Sequence, residues 1–139
     1  MIIQDRDAGR RVFFDVWRKY ARGVELQPLE QLVLAVILEH PEYHAVLGRA
    51  DSLDREFSPD AGDNPFLHMG MHIAIREQIS TDRPPGISAR YQILLGKTPD
   101  DHRLQHRMME CLGETLWSAK QNRRPPDEVA YLECLGKLG

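Results

Sequence analysis

Apolar residues recur at helical spacing along almost the whole chain, and no stretch alternates long enough to suggest a strand. From about Asp5 to Arg22, Phe13, Val16, Trp17 and Tyr20 form one apolar stripe. Arg10, Arg11, Arg18, Lys19 and Arg22 lie mostly outside that stripe, and Gly23 stops the helix. Pro28 opens a second helix with Leu29, Leu32, Val33, Val36 and Ile37 on its inner face. Pro41 pushes His40 away from helical backbone, so a break is expected there, followed by a short helix over PEYHAVLG. Residues 50–63 form the one substantial loop, a surface crossing with Phe57 as its anchor.

The stretch NPFLHMGMHIAIREQI, 64–79, is the expected centre of the fold. Asn64 caps it, Pro65 takes its first position, and it is apolar on nearly every side, as a helix buried in mid-domain is. STDRPPG ends it. A further helix over 87–95 places Ile87, Tyr91, Leu94 and Leu95 together. The run Thr98-Pro99-Asp100-Asp101 starts a long helix with a cap, a proline and acids in the first turn. Its stripe is Leu104, Met108, Cys111, Leu112, Thr115 and Ala119, and NRRPP breaks it. A last helix, 127–138, buries Val129, Leu132 and Leu135. The expected architecture is all-α: a compact bundle of about five main helices plus one short helix, as a single helical domain over 1–139.

Composition narrows the function classes. At 139 residues with 42% hydrophobic and 28% charged residues, the chain is an ordinary globular domain. A net charge of −3 gives no electrostatic reason to expect nucleic acid, and no apolar run approaches a membrane span. MIIQDRDAGRR carries no secretory pattern, and Cys111 and Cys134, without a CxxC, read as reduced cysteines. Together these predict a cytoplasmic protein. Cys111 lies on a core stripe and reads as a structural thiol, and both tryptophans, Trp17 and Trp117, read as core. No Ser, His and Asp order suggests a triad, and there is no glycine-rich phosphate loop.

The six histidines fall into three pairs four apart: His40 with His44, His68 with His72, and His102 with His106. Random placement would give roughly 0.2 such pairs. His106 also has Glu110 four residues on, so two helices each offer a two-donor edge: His68 and His72 on one, His106 and Glu110 on the other. Two such edges facing each other in a bundle can surround one ion. Imidazole and carboxylate together suit a divalent metal such as zinc or iron, or manganese or nickel. The central pair reads HMGMH rather than HExxH, and no ExxH occurs, so zinc-protease and di-iron signatures are absent.

Two readings follow. In the first, a buried network of histidine and glutamate is structural, His68 and His72 bond to Glu110 or Tyr91, and the protein is a non-catalytic interaction or structural module. In the second, His68, His72, His106 and Glu110 bind a metal, with hydrolytic or redox chemistry open. Whether the protein is an enzyme is left undecided, as is a homodimer.

The runs NPFLHMGMHIAIREQ, TDRPPGI, HRMMECLGETLW and PPDEVAYLECL resemble a small proteobacterial family catalogued as a domain of unknown function. The resemblance spans nearly the whole chain. It implies a bacterial, cytoplasmic, helical protein and implies no activity. A looser similarity to hemerythrin-like bundles fails on motif order: the HxxxH pair here precedes HxxxE.

Overall fold

The computed structural model describes residues 6–49, 64–98 and 100–138. All regular structure among them is helical. The order is α1 (Arg6–Ala21), α2 (Pro28–Leu38), a 3-10 turn (Pro41–Tyr43), α3 (His44–Leu47), α4 (Pro65–Thr81), α5 (Ile87–Lys97), α6 (Asp101–Asn122) and α7 (Glu128–Gly136). The long loop with its Phe57 anchor, the helix start at Asp5, and Pro99 lie outside the described residues. No described helix is long and apolar enough to cross a membrane.

The chain divides into two compact units, residues 1–73 and 74–139, with α4 running through the division. In the first unit, Phe13 and Val16 of α1 meet Val33, Val36 and Ile37 of α2, Leu47 of α3, and Phe66, Met69 and Ile73 of α4. The Phe66 ring lies 5.9 Å from Phe13 and 5.8 Å from Phe14. Each fully buried side chain of this size contributes about 1.5–3 kcal/mol by leaving water. Arg10 belongs to this interior too: it is only 4% exposed, and its guanidinium lies 4.9 Å above the Phe66 ring. The basic face of α1 is therefore not uniformly solvated. Lys19 bonds Glu30 at 2.6 Å, tying α1 to α2.

Helix α4 starts as the sequence predicts. Asn64 Oδ1 accepts the backbone N–H groups of Phe66 at 3.1 Å and Leu67 at 3.2 Å. Every residue from Met69 to Ile75 is buried, so the helix is enclosed on all sides there.

In the second unit the start of α6 moves two residues from its predicted place. Asp100, not Thr98, is the cap, and its carboxylate accepts from His102 and Arg103. A carboxylate beside the positive helix end is a stronger acceptor than a threonine hydroxyl. Asp127 caps α7 in the same way, through Ala130 N at 3.1 Å. At the α4–α5 turn, Asp82 accepts from Gly86 N and Ser88 N, which holds its carboxyl below the usual range.

Three expectations are corrected in this unit. Cys111 and Cys134 are not reduced thiols but a disulfide, because α7 returns along α6 and brings their Cα atoms to 5.8 Å. Trp117 is not core: it is 64% exposed on α6. On α7 the buried residues are Tyr131 and Leu135, while Val129 is exposed. The Tyr131 hydroxyl donates to Gln78 Oε1 at 2.7 Å, which gives the phenol a partner that valine would not need.

Candidate metal centre

The end of α2 sets the first donor. His40 precedes Pro41 and takes φ −126°, ψ 67°, which breaks the helix. The last carbonyls of a helix lack intrahelical partners. Here histidine rings contribute: His40 Nδ1 lies 2.8 Å from the Val36 carbonyl, and His44 Nε2 lies 2.9 Å from that of Ile37, which also accepts the His40 backbone N–H at 3.0 Å. A carbonyl oxygen only accepts, so His40 Nδ1 carries the proton. In the neutral ring the lone pair is then on Nε2. Tyr43 stacks on the same ring at 5.4 Å and 7° between planes. Burial, and then the charge of Glu42, push the Tyr43 hydroxyl above its ordinary value, so it remains a neutral phenol.

Helix α4 supplies the other two. His68 and His72 are one turn apart, with ring centroids separated by 4.9 Å and planes inclined at 72°. His40 completes a triangle, 4.9 Å from His68 and 4.8 Å from His72. His40 and His72 are 2% and 0% exposed. The rings meet edge to face rather than stacked. His40 Nε2 and His68 Nε2 approach to 3.1 Å. Two nitrogens on a tetrahedral zinc at about 2.0–2.1 Å would be roughly 3.3 Å apart. Each of the three histidines offers a ring nitrogen, and these atoms lie within 4.8 Å of one another.

A family model matches residues 5–137. The chain belongs to DUF1841, a domain of unknown function. No curated protein and no solved structure matches it. Within this DUF1841 chain, then, function has to be read from the residues themselves.

Of the residues singled out from the sequence, His68 and His72 come together as the spacing predicts. His106 is on α6, in the second unit, with its ring 4.3 Å from that of His102. Glu110 is one turn further along α6 and exposed. Tyr91, one suggested partner for the central pair, donates a hydrogen bond from its hydroxyl to Asp101 instead. His40 was not in the predicted donor set. Its signal in the sequence is the HPEYH spacing, in which Pro41 takes His40 out of helical backbone. The two rings bond different carbonyls, His40 that of Val36 and His44 that of Ile37, and the His40 ring meets α4 at His68 and His72.

Proposed function

We propose that this chain binds a divalent transition-metal ion, zinc or iron being the natural candidates, through His40, His68 and His72. The observation that carries this reading is the 3.1 Å approach of His40 Nε2 to His68 Nε2, with His40 Nδ1 held on Val36. A ligand histidine whose second nitrogen is fixed on a backbone carbonyl has its tautomer and orientation set in advance. Four protein donors would close the ion into a structural site. Three would leave a position for water or substrate and permit Lewis-acid chemistry.

The same 3.1 Å approach also suits an N–H···N hydrogen bond, and that favours a second reading, a metal-free structural network in an interaction module. Calorimetric titration of chelator-treated protein with zinc separates the two. Near-stoichiometric binding, abolished in His40→Ala and in His72→Ala but kept in His44→Ala, supports the metal site. Absence of binding in the wild type leaves the structural network.

A further inference from the structure

An open cavity of about 470 Å³ lies between α6 and α7, and the Cys111–Cys134 disulfide forms part of its wall. Small-molecule sites occupy roughly 300–1,000 Å³. A disulfide on a cavity wall can be reached by a dissolved thiol, whereas one enclosed by packing cannot. The two sulfurs are not equivalent. Cys111 is 2% exposed on α6, while Cys134 on α7 is only partly buried. Exchange requires the incoming sulfur to reach the atom it attacks, so access favours Cys134. Position favours it as well. Cys134 lies in the last turn of α7, at the negative end of that helix, where a free thiolate is disfavoured. As the attacked atom it remains in a neutral disulfide. Charges of both signs border the cavity: Glu114 and Glu133 against Arg124 and Lys137. Such a rim complements a thiol that carries both an ammonium and a carboxylate group. Nor does α7 depend on the link alone. Leu135 is 0% exposed, and the Tyr131 hydroxyl bonds Gln78. Packing therefore holds α7 when the link opens, and the two thiols stay placed to close it again.

We infer that this cavity binds a small zwitterionic thiol and that the Cys111–Cys134 disulfide exchanges with it, the incoming sulfur joining Cys134. The first thiol loses its proton and forms a bond to Cys134 Sγ. The bond between Cys134 Sγ and Cys111 Sγ breaks, and the electron pair leaves on Cys111, which takes up a proton. A second molecule of the thiol attacks the mixed disulfide, releasing Cys134 as a thiol and the small molecule as its own disulfide. The protein disulfide is thereby reduced by two electrons and two thiols are oxidised. The inference does not rest on the metal reading, because His40, His68 and His72 all belong to the first unit.

The test treats the full wild-type chain with reduced glutathione, a zwitterionic thiol, under native conditions. Acid stops the reaction, and mass spectrometry of the cysteine peptides locates the mixed disulfide. The adduct is expected on Cys134 and not on Cys111, with helical content unchanged by circular dichroism. The rate should level off as glutathione rises, as binding before exchange requires, and should rise linearly with uncharged 2-mercaptoethanol. With oxidised glutathione, Cys111→Ser should keep a stable adduct on Cys134, and Cys134→Ser should take none. The wild-type measurement stands alone if either variant fails to fold. An adduct on Cys111, a disulfide that opens only in urea, or a glutathione rate that stays linear throughout overturns the inference.

Discussion

His40 donates from Nδ1 to the Val36 carbonyl and presents Nε2 to His68 Nε2 at 3.1 Å. One side chain thus does two things: it satisfies a carbonyl at the end of α2 and links that end to α4. Removing it should be felt in both stability and binding. His40→Ala is expected to destabilise the metal-free protein by about 1–3 kcal/mol, the usual result of leaving a buried polar group unpaired. It should also abolish the extra stability that metal confers. Urea unfolding with and without chelator measures both effects. A variant as stable as wild type that still gains stability from zinc would contradict this.

The aromatic contact of Phe66 with Phe13 and Phe14 centres the first core. Phe66→Ala should cost about 3–5 kcal/mol, as large-to-small changes in a packed interior do. Trp117→Ala, at an exposed position on α6, should change stability by about 0.5 kcal/mol or less. Paired thermal melts of the two variants check the contrast, and equal losses would contradict it.

In the second unit, the Cys111–Cys134 link closes a separation of 23 residues between α6 and α7. Its loss should cost about 2–4 kcal/mol. The Cys111→Ala/Cys134→Ala protein, compared with wild type with and without reductant, measures this. Reductant should lower the wild-type melting temperature and leave the variant unchanged.

These elements show what the sequence carried and what it did not. Helix positions were legible because each has local causes: the Asn64 cap, the Pro28 start, and the breaks at Pro41 and NRRPP. Helical periodicity also placed Phe13, Val16, Val33, Val36, Ile37, Leu104 and Met108 correctly inside. Long-range pairing has no such local signal. The return of α7 along α6, and with it the disulfide, could not be read from two cysteines on separate helical stripes. The reduced thiols that argued for a cytoplasmic location are therefore not available as evidence for it. Likewise, His68 and His72 were legible as a pair on one helix. The arrival of His40 depended on how the chain leaves α2, where proline and an open carbonyl, rather than periodicity, decide the ring's direction.

Alkaline pH offers a separate check on the second unit. Burial, reinforced by the bond to Asp101, pushes the Tyr91 hydroxyl up to about 12. Burial moves Tyr131 in the same direction. An unfolded tyrosine titrates near ~10. Between these values the folded chain keeps a proton that the unfolded chain releases, so this contribution is complete below about pH 10 and is lost as pH rises through about 12. Tyr91→Phe should flatten the fall in melting temperature over that window. An unchanged profile would show that Tyr91 is not responsible.

The most direct measurement is elemental analysis of protein produced without a polyhistidine tag, made alongside His40→Ala and His68→Ala. Near-stoichiometric metal in the wild type, lost in both variants while helical content is kept, is the predicted result. Wild-type protein that carries no metal and acquires none when zinc or iron is supplied would contradict a metal centre and leave the three histidines as a structural network.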